Sequence, residues 1–278
     1  MEQRWSLEMS KYAEDYSIDE LVCSTIAGML RDGEIVFTGV SSPVQIASVY
    51  LAKATNAPNL THLTIMGAVD PEPRSPPVSS ADPRLLEGAL GAITLSDVFC
   101  LGYKGRVDVG LFGAVQIDKR GNINNSVIGQ YDKPKVRLPG GAGSGLMLKI
   151  FKRSIIFRPT HDKRAFVEKL PFVTACGWTE ESGLRPGGKD SFGFPRIGGP
   201  EKVVTNLCVL GFDDRTRDMT LVSVHPGVDQ KDVIENTGFE LLLPENIQTT
   251  PPPTQLQVKL LRQKIDPNDT RKLPFREK

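Results

Sequence analysis

Apolar residues at Ile18, Leu21, Val22, Ile26, Met29 and Leu30 recur at three- and four-residue spacing, the signature of a helix with one buried face. Ser17-Ile18-Asp19-Glu20 precedes them as a capping box, and Asp32-Gly33 closes the run. The β-branched and aromatic run 34–38 then predicts a strand ending at Gly39. A second helix starts with Ser42 as N-cap and Pro43 at its first position, with Gln45 completing another capping box, and runs to about Ala54. Leu60 to Met66, ending at Gly67, is a second strand. Strand, helix and strand within so short a stretch form a βαβ unit, so the chain is expected to be α/β with parallel pairing.

Residues 70–84 carry five prolines and predict a long irregular loop, a kind of segment that is often functional. Leu85 to Leu101 reads as helix followed by a buried segment. Strands are expected at 107–111, 114–117, 154–157, within 203–210 and at 219–224, with a turn at Asp213-Asp214-Arg215. Asp229 to Asn236 reads as a short helix stopped by a left-handed Gly238. Thr249 to Pro253 is a stiff spacer before a last helix, Gln255 to Lys264. The expected organisation is an N-terminal arm (1–16), one α/β domain (17–245), and a Pro-rich spacer with C-terminal helix and tail (246–278), without an internal repeat.

Composition narrows the function. The 278 residues are 39% hydrophobic and 24% charged, which excludes disorder over most of the length. Thirty-four basic against thirty-three acidic residues leave a net charge of +1, which argues against nucleic-acid binding by bulk charge. No apolar run approaches the roughly 20 residues needed to cross a bilayer, and the first residues lack the layout of a signal peptide. Cys23, Cys100, Cys176 and Cys208 are scattered, as are His62, His161 and His225, so no metal site is expected and a reducing, cytoplasmic setting is.

Three stretches carry candidate chemistry. The turn Gly39-Val40-Ser41-Ser42 joins a strand to a helix N-terminus, where free amides suit an anion or simply cap the helix. Gly140-Gly141-Ala142-Gly143-Ser144-Gly145 can aim several N–H groups into one concavity, or be a flexible connection. It has neither the Walker nor the dinucleotide spacing. In Gly113 to Asn124, Gln116 sits in an otherwise apolar strand and Asn122-x-Asn124 follows a polar turn, so these amides meet either buried partners or a ligand. The histidines read as structural residues, and Glu180-Glu181 as a solvated corner.

Read together, these blocks resemble the second (β) subunit of family I CoA-transferases, nearest the glutaconate CoA-transferase branch. The matching residues are Gly113-Ala114-x-Gln116-Ile117-Asp118-x-x-Gly121-Asn122-x-Asn124, then Ser126-x-Ile128-Gly129, Lys133-Pro134-Lys135-x-Arg137 and the glycine loop. Arg164-x-Phe166-Val167, Phe172-Val173-Thr174, Gly177-Trp178, Asp232 to Phe239 and Leu261-Arg262-x-x-Ile265-Asp266-Pro267 extend the likeness over roughly 17–268. The resemblance implies an α/β fold of the NagB/RpiA-like type, with a mainly parallel sheet flanked by helices. It also implies a separate α subunit in an αβ or α2β2 assembly, and an acyl-CoA substrate bound between the subunits. No metal or tightly bound cofactor is implied, coenzyme A entering as part of the substrate. In such transferases a β-subunit glutamate attacks the thioester, passes through a mixed anhydride and carries CoA as a glutamyl thioester. The resemblance points to Gly39, Ser41, Ser42, Gly67, Gln116, Asn122, Asn124, Gly140, Gly141, Gly143, Ser144 and Gly145 as substrate- or CoA-binding positions.

At one position the chain departs from the pattern. The glutamate belongs at the end of the second strand, in a Glu-Ser-Gly context; here the residues are Thr64-Ile65-Met66-Gly67, and Ile65 occupies its place. Asp70 matches an aspartate that the transferases also carry, and Glu72 serves only if the alignment slips by one turn. Three readings follow: a CoA-transferase β subunit with reassigned chemistry; half of a steroid ring-cleaving CoA hydrolase whose catalytic glutamate is on the α subunit; or a non-catalytic partner that holds CoA or stabilises an active α chain.

Overall fold

The computed structural model describes residues 11–179, 187–189, 193 and 195–276. Glu180-Glu181 and residues 1–10 of the arm lie outside the described residues. The chain divides into two compact units, 1–98 together with 250–278, and 99–249.

In the first unit, α1 (Ile18–Gly28) places Leu21, Val22 and Ile26 inward, as their spacing demands, and packs on α2 (Pro43–Ala54). Each such buried side chain contributes roughly 1.5–3 kcal/mol of transfer free energy. Strands β1 (Ile35–Thr38) and β2 (Thr61–Thr64) pair in parallel, with Ile35 opposite Thr61 and Thr38 opposite Thr64. The short strands β3 (Ala68–Val69) and β4 (Gly91–Ala92) extend the sheet antiparallel. Two local expectations fail here. The helix expected to open Leu85–Leu101 comes instead at its end: a 3-10 turn (Pro83–Leu86) and the exposed β4 precede a helix that starts only at Leu95. The Ser42 hydroxyl caps no helix amide, because it donates instead to Gly39 O at 2.5 Å.

The C-terminal segment belongs to this unit. Its helix Gln255–Leu260 is capped by Thr254, whose hydroxyl accepts Gln257 N–H at 3.2 Å, and continues into a wide turn, Leu261–Ile265. The arm meets it, with Ala13 N–H donating to Pro253 O at 2.8 Å. A 3-10 turn, Thr270–Phe275, packs on α2 and sets Arg271 among Asp19, Glu20, Asp266 and Asp269, with nitrogen–oxygen distances of 2.8, 3.2, 3.0 and 2.9 Å.

The unit boundary falls inside α3 (Leu95–Tyr103). In the second unit, β5 (Val109–Gly113), β10 (Arg153–Phe157) and β11 (Pro200–Val204) pair in parallel in the order β5-β10-β11. Strands β12 (Cys208–Phe212) and β13 (Met219–Val224) add antiparallel, joined by the expected turn, and β14 (Gln248–Thr249) adds parallel to β13. Parallel pairing thus joins β1 with β2 in the first unit and β5, β10 and β11 in the second, and the antiparallel pairs follow to one side in each. Two ribbons stand apart from this sheet: β6 (Gln116–Ile117) with β7 (Ile123–Asn124), and β8 (Val127–Gly129) with β9 (Pro134–Arg137). Helix α4 (Ser144–Ile150) follows the glycine loop, and α5 (Gln230–Glu235) is capped by Asp229. Gly238 is not its left-handed stop. The helix ends at Asn236, and Gly238 N–H donates to Phe166 O at 2.9 Å. Glycine is required there because a Cβ would lie 2.3 Å from that same oxygen.

Candidate active site

In the first unit the carboxyl ends of β1 and β2 are tied into one knot by a residue from the Pro-rich loop. The Ser80 hydroxyl lies 2.5 Å from Thr38 O and 2.8 Å from Gly39 O and accepts Ile65 N–H at 3.3 Å, while Ser80 O accepts Met66 N–H at 3.0 Å. Ser79 accepts Ser41 N–H at 3.1 Å and holds Ser41 at φ +51°, a strained conformation for a residue with a side chain. Gly67 turns the chain from β2 to β3 at φ +90°, and a Cβ there would sit 2.0 Å from Ile93 O. Gly39, Ser41, Ser42, Ile65 and Gly67 are therefore gathered at the edge of parallel strands where α/β proteins bind ligands. Ser79 and Ser80, which do the gathering, carried no signal beyond their place in a long loop.

The two acidic neighbours differ. Asp70, itself left-handed at φ +49°, pairs with Lys53 and accepts His62 N–H at 3.2 Å. Glu72 is exposed, and its backbone N–H donates to Glu87 O at 3.2 Å. His62 is buried against Tyr50 with Nε2 2.8 Å from the Thr38 hydroxyl, and burial pushes its pKa down to about 3. It is a neutral structural residue at pH 7.

In the second unit the glycine loop sits on Asn125, which follows β7. Asn125 Oδ1 accepts Val115 N–H at 2.8 Å, its Nδ2 donates to Gly113 O at the carboxyl end of β5, and its carbonyl accepts Gly140 N–H at 2.8 Å. Thr174 accepts Asn125 N–H at 2.9 Å and bonds Ser126 at 2.7 Å. On this support Gly140 (φ +92°) and Ala142 (φ +45°) alternate with residues of ordinary φ. Such alternation turns successive amides to one side. Among the described residues, the N–H groups of Gly141, Ala142, Gly143 and Gly145 have no acceptor, and the buried Ser144 hydroxyl has no partner. Side chains have no room at 141, where a Cβ would lie 2.4 Å from Thr174 Cγ2. The loop can stabilise negative charge on a carbonyl or phosphoryl oxygen.

Gln116, Asn122 and Asn124 are brought to the β6–β7 ribbon, but their polar groups are used within the fold. Asn124 is fully buried; Nδ2 donates to Gln116 Oε1 and Val127 O, and Oδ1 accepts Ser126 and Val127 N–H, which fills its capacity. Gln116 Nε2 donates to Arg164 O at 3.0 Å. Asn122 bridges Asp118 Oδ2 and Gly177 N–H, both at 2.7 Å. The three lock the ribbon that carries Asn125. His161 is stacked on Phe166 with a ring separation of 3.9 Å, bonded to Thr237 at 3.0 Å, and burial lowers its pKa to about 4. His225 is buried and bonds Thr205 O at 2.9 Å. All four cysteines are thiols, and among the described residues no group of three His, Cys, Asp or Glu side chains could hold a metal ion.

Parallel strands flanked by helices, with a tied turn at the strand ends of one unit and, separately, a loop of open amides in the other, define an α/β protein. The chain belongs to the coenzyme A transferase family, which it matches over residues 20–236. It is 35% identical to the second subunit of 3-oxoadipate CoA-transferase from Pseudomonas knackmussii, over 89% of this chain and 92% of that protein. To the second subunit of glutaconate CoA-transferase from Acidaminococcus fermentans it is 33% identical, over 91% and 94%. The crystal structure of that transferase superposes with a TM-score of 0.83 at 29% identity, covering 96% of this chain and 100% of the other. The cholesterol ring-cleaving hydrolase IpdB subunit of Mycobacterium tuberculosis is 28% identical over 91% and 96%. The decarboxylase AibA/AibB superposes with a TM-score of 0.80 at 30% identity, over 92% of this chain and 98% of that chain. No helix among the described residues is long and apolar enough to cross a membrane.

Proposed function

We propose that this chain is the β subunit of a two-subunit, cytoplasmic enzyme acting on an acyl-CoA thioester, and that it supplies binding groups but no nucleophile. The reading rests on Ile65, which follows β2 with its amide held by Ser80, and which the sequence resemblance sets in the place of the transferase glutamate. A hydrocarbon side chain can neither attack a thioester nor move a proton. Asp70 is committed to Lys53, and Glu72 lies exposed beyond it.

The glycine loop carries binding groups of its own. Its unpaired amides, with the Ser144 hydroxyl beside them, suit the thioester carbonyl oxygen as it gains negative charge. Gln116, Asn122 and Asn124 act by holding the ribbon beneath Asn125 rather than by touching substrate. The attacking group then comes from water and a carboxylate of the partner subunit. Relatives named for CoA transfer, ring-cleaving hydrolysis and decarboxylation support this reading, because one architecture carries reactions that need different attacking groups.

The test uses the complex with its partner subunit. Ile65→Ala should keep kcat within about threefold, because only an apolar contact is lost. A fall of about a thousandfold or more, the scale of a lost nucleophile, contradicts the reading.

A further inference from the structure

The β8–β9 ribbon carries Lys133, Lys135 and Arg137, all exposed, in the stretch that leads into the glycine loop. Lys135 and Arg137 both lie on β9, Lys135 as the extra residue where the β8–β9 register shifts, with Lys133 at the turn before them. Elsewhere in this unit Arg120, Lys152, Arg153, Arg164 and Arg217 each hold a carboxylate. Among the described residues Lys133, Lys135 and Arg137 hold none, although Asp132 is adjacent.

One of the three is also preorganised. The Arg137 guanidinium lies 4.8 Å over the Tyr131 ring and donates to Tyr131 O at 2.9 Å, while Tyr131 stacks on Phe172 at 5.0 Å. A guanidinium held over an aromatic ring loses less freedom when it binds an oxyanion, and its remaining donors match phosphate geometry. The ribbon and the glycine loop also share a support, since Leu138 N–H donates to Ser126 O and Gly140 N–H to Asn125 O. Arg137 and Gly141 are four positions apart in sequence, so their Cα atoms are at most about 14 Å apart. A pantetheine arm bridges a gap of that order.

We propose that the ribbon holds the phosphates of the coenzyme A nucleotide, the 3′-phosphate and the diphosphate, while the glycine loop handles the thioester. This rests on the reading of the substrate as an acyl-CoA. The two claims separate in one set of measurements on the intact complex. Adenosine 3′,5′-bisphosphate is titrated by calorimetry, and kcat/KM is measured for an acyl-CoA and for the matching acyl-pantetheine. The variants are Lys133→Ser with Lys135→Ser, and Arg137→Gln; melting temperatures confirm that each folds and remains assembled.

Nucleotide affinity and kcat/KM for acyl-CoA should fall about tenfold for each cation removed, the size of one charge-assisted contact. The acyl-pantetheine, which carries neither group, should change by less than about twofold, the scale of a lost contact-free charge. Equal losses on both thioesters, or unchanged nucleotide affinity in the Lys133→Ser/Lys135→Ser complex, overturns the assignment. A complex that consumes no CoA thioester removes the substrate reading, and the nucleotide titration still decides the ribbon.

Discussion

Replacing Arg271 with methionine, similar in length but uncharged, should unlock the C-terminal segment from α1. Arg271 is completely buried and lies within 3.2 Å of Asp19, Glu20, Asp266 and Asp269, the first three of them also buried. Without it, three buried carboxylates face one another; Arg262, which is partly exposed, still reaches Glu20 at 2.7 Å. Removing one partner of a buried ion pair costs about 3–5 kcal/mol. At roughly 2–4 °C per kcal/mol for a chain of this size, the melting temperature should drop by about 6–20 °C. Calorimetry at pH 7 measures it, with Arg271→Lys expected to fall between because it keeps the charge but not the fork.

The pH dependence supplies an independent check on the same network. Burial works against ionisation of Glu20, yet hydrogen bonds from Arg262 and Ser17 N–H, with the charge of Arg262, outweigh it and hold the carboxyl below its ordinary range. A lowered carboxyl pKa stabilises the fold above its unfolded value, and that contribution is lost as pH falls through the folded value. The stability that the Glu20 carboxylate contributes should therefore be present at pH 7 and lost in acid, in the Arg271→Met chain as in the parent, because Arg262 and Ser17 remain. A loss under about 1 kcal/mol at pH 7, the range of a surface pair, would refute the claim that Arg271 anchors the tail.

Two further outcomes are expected. His62 and His161 are buried with pKa values lowered to about 3 and about 4, so the unfolded chain binds protons more readily than the folded one as pH falls below the ordinary histidine range. Urea denaturation should show stability falling between about pH 6.5 and pH 4 with a limiting slope of about 1.4 kcal/mol per pH unit for each histidine; a flat profile from pH 7 to 5 contradicts the burial of both. Gly143→Val should abolish thioester turnover in a complex that still assembles, because a Cβ at 143 already lies 2.9 Å from the end of Met147, and the added methyl groups crowd the loop's open amides. Normal turnover in that variant removes the loop from the mechanism.

Local periodicity revealed much of this fold. The α1 face and the β1–α2–β2 unit follow from apolar spacing, and the structure places both where the pattern does. Features set by distant contacts were not legible. Glu20 reads as half of a capping box and does accept Ser17 N–H at 2.9 Å, but its larger role is to meet two arginines some 240 or more residues away in sequence. Ser42 reads as an N-cap, yet the tight turn at the end of β1 offers it a nearer acceptor in Gly39 O. Gly238 reads as a helix stop, and its requirement comes from the approach of Phe166 O. At the site, the loop was visible because four glycines in six positions stand out in the sequence, whereas Asn125, Thr174 and Ser80 look like any polar loop residues until their partners are known.

The central claim is that Ile65 leaves this chain without a nucleophile, and acceptor dependence tests it most directly. The complex with its partner subunit is given candidate acyl-CoAs, and free CoA is followed with and without an added carboxylate acceptor. Release of CoA or ring-opened product at a rate indifferent to the acceptor is the predicted result, since water then does the work. Turnover that requires the acceptor, with CoA passing to it, contradicts the account and places a working carboxylate nucleophile in the site after all.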